Sequence, residues 1–137
     1  MNILIVGGGL QALSVARSLK KERYSVIALL HRGDISTKSK YIDELYTIDI
    51  TPTYKKEYLS SVHRVLQVHA ISVIIPLSDV TAEFLSIHKV NLEHEYHLKC
   101  AIPNYDIFQK ANDKWQLMDL CKENFIPVSY THLTLPT

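Results

Sequence analysis

Three consecutive glycines, Gly7-Gly8-Gly9, stand between a short apolar run, Ile3 to Val6, and a segment with helical periodicity. Gly7, Gly9 and Ala12 fit the pattern G-x-G-x-x-G/A. Glycine at such a turn reaches positive φ and lets a ligand approach the main chain with no Cβ in the way. The helix that opens there offers free N–H groups and a partial positive charge to an anion. Three readings fit: a dinucleotide site, a site for an anionic small-molecule substrate, or a tight turn with no ligand. The dinucleotide fingerprint wants an acidic residue at the end of the second strand. That strand instead ends Leu29-Leu30-His31-Arg32, and Arg32 would suit the 2′-phosphate of NADP. No Gly-Lys-Ser/Thr follows the glycines, which excludes a Walker A loop.

Other reactive residues form weaker patterns. His94-Glu95-Tyr96-His97, with Glu93 and His88 nearby, lacks the H-E-x-x-H spacing that sets two ligands on one helical face. The expectation is surface polar residues and no metal. Cys100 and Cys121 match no metal or redox spacing and are expected to be buried thiols of a reducing, cytoplasmic protein. No Gly-x-Ser-x-Gly elbow of an α/β-hydrolase is present. Tyrosines number 8 but are scattered, so they predict no stacking platform for bases.

The elements that must position these residues follow from periodicity. Ile3–Val6, Val26–Leu30, Leu45–Ile48, Ser72–Pro76 and Leu98–Ile102 read as strands, several of them continuous apolar runs typical of burial on both faces. Helices are expected from Leu10 to Glu22 (stripe Leu10, Leu13, Ala16, Leu19) and from Tyr54 to His69 (stripe Tyr58, Val62, Val65 or Leu66, His69). A third starts after Ser78 or Asp79, either of which can cap it, with Val80, Phe84, Leu85 and His88 on one side. A short helix from Tyr105 and a longer one from Asp113 to Asn124, with Leu117, Met118, Cys121 and Phe125 at helical spacing, follow Pro103. His31-Arg32-Gly33-Asp34 reads as a turn and Ile35 to Lys40 as a loop. Strands alternating with helices predict an α/β fold, a doubly wound parallel sheet of about five strands. Ligands in such sheets bind beyond the carboxyl ends of the strands, here Gly7–Leu10, His31–Asp34 and Pro76–Asp79.

The chain has 137 residues, 47% of them hydrophobic and 21% charged, enough for one globular domain. A net charge of +1 gives no electrostatic case for nucleic acid or an anionic membrane. No apolar run approaches the roughly 20 residues of a membrane span, and the N-terminus lacks the basic stretch of a signal peptide.

One stretch is more specific: Ala111-Asn112-Asp113-Lys114-Trp115, continuing through a helix to Phe125-Ile126-Pro127-Val128. It resembles the junction of ATP-grasp ligases, where an Asp-Lys pair opens a helix ending in a Gly-Ile-Pro-Val-Pro-like turn; Phe125 replaces that Gly. The Gly-Gly-Gly-Leu loop, Ile74-Ile75-Pro76-Leu77-Ser78-Asp79 and the link containing Ser36, Lys38, Ser39, Lys40 and Tyr41 look like the pre-ATP-grasp domain of the carboxylate–amine subgroup. The resemblance implies a Rossmann-like substrate-side domain over residues 1–111, the start of an ATP-grasp domain over 112–128, and a catalytic part beyond. It implies a parent enzyme using ATP and Mg on a small-molecule carboxylate or amine. Lys114 would contact an ATP phosphate, Gly8, Gly9 and Leu10 would bring main-chain N–H groups to the substrate, and Ser78 and Asp79 would line it. It assigns no catalytic residue and no metal ligand to this stretch, so the chain alone is expected to be inactive. Residues 129–137, Ser129 to Thr137, depart from the family pattern and resemble a tail found on unrelated chains; they are expected to be non-native.

Overall fold

The computed structural model describes residues 1–49 and 55–112. The expected helix from Asp113, with Lys114 and Cys121, and the 129–137 tail lie outside the described residues. Strand β1 (Asn2–Val6) leads into helix α1 (Leu10–Lys21), β2 (Ser25–His31), β3 (Glu44–Ile48) and α2 (Lys55–Val68). Then come β4 (Ile71–Pro76), α3 (Asp79–Tyr96), β5 (Lys99–Cys100) and α4 (Tyr105–Asn112). The sheet is five-stranded, in the order β3-β2-β1-β4-β5, and every pairing is parallel. The doubly wound α/β architecture expected from the alternation of elements is the one observed.

β1 lies between β2 and β4, so both of its faces need apolar side chains, and Ile3 to Val6 are all buried. Leu4 and Val6 face a core built with α2 and α3, through Tyr58, Val62, Val65, Phe84, Leu85 and Leu92. Ile5 faces the other core, with Ala12 and Ala16 of α1 and Val26, Ala28 and Leu30 of β2. The alanines let α1 lie close to the sheet, with Val15 and Leu19 flanking them. Tyr58 and Phe84 meet edge to face, ring centroids 4.9 Å apart, and tie α2 to α3.

Several expectations need correction. Leu10 is 70% exposed and Val80 51% exposed, so neither joins an apolar stripe. Both stand in the first turn of their helix, above the strand ends, where no sheet covers them. His69 falls just after α2, and its ring bonds the Tyr46 hydroxyl at 2.7 Å. The segment expected as a loop contains a 3-10 turn, Ile35–Lys38, capped by Asp34. β5 is shorter than Leu98–Ile102. Its Cys100 N–H donates to Glu93 (2.9 Å) and its Cys100 carbonyl accepts from Lys89 (3.3 Å), while Lys89 and Glu93 pair at 2.5 Å.

Candidate functional site

The helix after β1 covers one face of the sheet and the helix after β4 covers the other. The chain therefore diverges between the ends of these neighbouring strands, which opens the crevice where doubly wound sheets bind ligands. The two ends are stitched together. Leu77 N–H donates to the Val6 carbonyl at 2.8 Å. Thr81, buried in the first turn of α3, extends its hydroxyl toward the same carbonyl at 3.5 Å.

Ser78 is the cap of α3. Its Oγ accepts from the Thr81 N–H at 3.2 Å, and Thr81 Oγ1 accepts from the Ser78 N–H at 3.1 Å, forming a reciprocal capping box. Asp79 is the first helical residue, exposed and favourably placed for the helix dipole. Gly7, with φ +92°, packs directly on this cap: a Cβ there would lie 3.1 Å from Thr81 Oγ1 and 3.2 Å from Ser78 Oγ. The first glycine thus serves the contact between the β1 and β4 turns. Thr81 carries no sequence signal as a site residue; its three-residue spacing from Ser78 is the one clue.

The other two glycines face Asp34. The Gly9 N–H donates to Asp34 Oδ1 at 3.1 Å, and the Ser36 N–H donates to the same oxygen at 2.9 Å. The Ser36 hydroxyl, fully buried, also donates to it at close range. A Cβ on Gly8 would lie 2.2 Å from Asp34 Oδ2. Glycine at position 8 is therefore demanded by an internal carboxylate. Burial by itself would raise the Asp34 carboxyl; the Ser36 hydroxyl, the Gly9 and Ser36 N–H groups and His31 outweigh it and hold the group below the ordinary aspartate range. Asp34 belongs to the strand-end turn His31–Asp34 expected from the sequence to border a ligand, but its contact with the glycine turn is not expected from it. The signal was available: Asp, two residues before a serine, is a strong local cap, and the turn sits at a strand end.

Arg32 is exposed, and its Nε lies 3.4 Å from Asp49 Oδ1. A carboxylate at the glycine loop and an engaged Arg32 are both unfavourable to a dinucleotide pyrophosphate and 2′-phosphate at this turn. Leu10 projects into solvent beside Gly9. Lys114 lies outside the described residues.

The histidines take other partners. His63 Nδ1 and the Tyr96 hydroxyl are 2.6 Å apart, and the His88 ring packs 4.7 Å from that of Phe84. His97 ends α3 in the left-handed conformation. Among the described residues, no group of three or more His, Cys, Asp or Glu side chains is arranged to hold a metal ion. A cavity of about 440 Å³ is lined by His63, His88, Asn91 and His94, among others. It lies along the second half of α3, toward the opposite end of the sheet from the glycine turn.

No family model matches the sequence, and no curated protein matches it. Solved structures do match. The biotin carboxylase domain of a single-chain bacterial carboxylase aligns with TM-score 0.67 and 19% identity, over 93% of this chain and 30% of that one. The Hydrogenobacter thermophilus 2-oxoglutarate carboxylase biotin carboxylase domain, in complex with MgADP, ADP and bicarbonate, aligns at 0.69 and 18%, over 93% and 28%. N5-carboxyaminoimidazole ribonucleotide synthetase from Thermotoga maritima aligns at 0.60 and 23%, over 93% and 32%. The chain spans about 30% of the length of these proteins. The chain therefore shares its fold with part of these biotin carboxylase and synthetase structures. Among the described residues, no helix is long and apolar enough to cross a membrane.

Proposed function

We propose that this chain is the substrate-side portion of an ATP-dependent carboxylate–amine ligase. Such an enzyme activates a carboxylate as an acyl phosphate, and an amine then attacks the acyl carbon with release of phosphate. The observation that carries the reading is the reversal of strand order between β1 and β4, in a sheet that superposes on part of the biotin carboxylase and synthetase structures. In this reading Gly8, Gly9 and Leu10 form one wall, Ser78 and Asp79 the other, and the substrate is a small carboxylate or amine. Asp34 adds a polar character that favours an amine or hydroxyl near Gly9 over a second anion, since its carboxylate accepts the Gly9 N–H.

Lys114 is the one residue of this chain assigned to an ATP phosphate, as a compact cation offsetting charge on the transferring group. The remaining charge neutralisation belongs to a catalytic region not contained here, and phosphoryl transfer depends on having all those parts in place.

Reading the source sequence beyond the codon for Val128 tests the proposal directly. A glycine-rich phosphate loop and paired acidic metal ligands are expected downstream. Titration of the chain with NADPH is expected to show no saturable binding. Saturable binding that Arg32→Ala abolishes would replace the ligase reading with a nucleotide-binding module.

A further inference from the structure

A groove of about 300 Å³ runs between α1 and the segment that follows the 3-10 turn. It is lined by Leu13, Ser14 and Arg17 on one side and Ser39, Lys40 and Tyr41 on the other. Leu13 and Arg17 are four residues apart and Ser14 and Arg17 three apart, so all three share one face of the helix. The lining brings together a guanidinium, an ammonium, two serine hydroxyls and a phenol ring, with no acidic residue. The Lys40 ammonium stands 5.3 Å from the centre of the Tyr41 ring, which holds it along the wall.

The nearby acidic groups are already engaged. Asp43 binds Lys20 at 3.0 Å and accepts the Val26 N–H at 2.8 Å. Asp34 is bound to Gly9 and Ser36. Among the described residues, no carboxylate lies within ion-pair distance of Arg17 or Lys40. The two cations thus line the groove without a neutralising partner among the described residues. The glycine turn, the other place in this half of the molecule suited to an anion, has its Gly9 N–H taken by Asp34.

We propose that this groove is a binding site for a phosphorylated small molecule. Arg17 presents its planar fork to two phosphate oxygens, Lys40 supplies a second positive charge, and the Ser14 and Ser39 hydroxyls donate to the remaining oxygens. Leu13 and the Tyr41 ring receive the apolar or planar remainder of the ligand. The site lies outside the crevice and does not depend on the ligase reading.

The test is an NMR titration of the full 137-residue chain with phenyl phosphate, with inorganic phosphate and benzoate in parallel. Saturable amide shifts are expected across Leu13–Arg17 and Ser39–Tyr41, with phenyl phosphate binding several-fold tighter than either fragment alone. Arg17→Gln and Lys40→Gln should each weaken binding about tenfold, the loss of one charge-assisted contact. Both side chains are exposed, so the fold is kept. Lys56→Gln, on α2 across the sheet, should leave the affinity unchanged. Shifts centred on Gly8–Leu10, an equal effect of Lys56→Gln, or no saturation by about 10 mM, beyond the millimolar range of weak specific binding, would overturn the site.

Discussion

The Gly9 N–H donates to the Asp34 carboxylate at 3.1 Å, joining the turn after β1 to the turn after β2 across 25 positions of sequence. The same carboxylate oxygen receives the Ser36 N–H and hydroxyl, so one atom organises both turns. Asp34→Ala leaves these donors without their acceptor. A loss of about 1–3 kcal/mol is expected, from the donors stranded in a half-buried place. Urea unfolding measures it, and amide hydrogen exchange should show the loss of protection at Gly9 and Ser36. Unchanged exchange at both amides would mean the contact contributes nothing.

Gly8→Ala introduces a Cβ 2.2 Å from Asp34 Oδ2, a contact that one of the two must leave. Destabilisation of about 1–3 kcal/mol is expected from overpacking. Truncating the neighbour should relieve it: in a Gly8→Ala/Asp34→Ala double variant the alanine at position 8 should cost less than in the parent, because Asp34 Cγ and Oδ2 are both gone. A double-mutant cycle reads this coupling. Strict additivity would show that the two side chains do not compete for space.

Stability should fall in acid along a defined limb. Burial would raise the carboxyls of Asp34, Asp43 and Glu93, but hydrogen bonds and the lysines beside Asp43 and Glu93 lower all three. A carboxyl with a depressed folded pKa contributes stability that is fully present above its unfolded value and lost as pH falls through the folded one. Melting temperature should therefore hold from neutral pH down to about 5 and then drop through the acid range. Asp34→Asn should make that limb shallower. A limb of equal steepness would exclude Asp34 as a contributor.

Ser78→Ala removes the acceptor for the Thr81 N–H and breaks the capping box. About 1 kcal/mol should be lost. Ser78→Asp should recover most of it, because aspartate is an equally good cap. If Ser78→Ala unfolds at the same urea concentration as the parent, the cap has no energetic role.

The Cys100 thiol is buried, and burial first and Glu93 second push it up to about 11. Alkylation by iodoacetamide at pH 8 should be far slower than that of a free cysteine, whose ordinary value is near 8.5. The Cys121→Ser variant isolates the Cys100 signal in mass spectrometry. A rate equal to that of free cysteine would contradict the burial.

The fold was legible in the sequence because burial on both faces forces continuous apolar runs, and Ile3–Val6 and Val26–Leu30 show them plainly. Ser78 was legible as a cap for a similar reason: the requirement is local. For Asp34 and Thr81 the sequence carries only their local bonds to Ser36 and Ser78; the reach to Gly9 and to the Val6 carbonyl is set by the tertiary fold. Leu10 and Val80 misled because helical periodicity gives the direction of a side chain but not where the sheet ends. Glycine in the turn fits either room for a ligand or a tight turn, and at positions 7 and 8 the space is taken by Ser78, Thr81 and Asp34.

The two-residue fifth strand has a last consequence. Its outward-facing Cys100 N–H and carbonyl are both occupied by the Glu93–Lys89 pair of α3. An incoming chain finds neither a donor nor an acceptor at that residue. The side chains of the domain's own helix thus hinder strand addition along β5, one of the sheet's two edges.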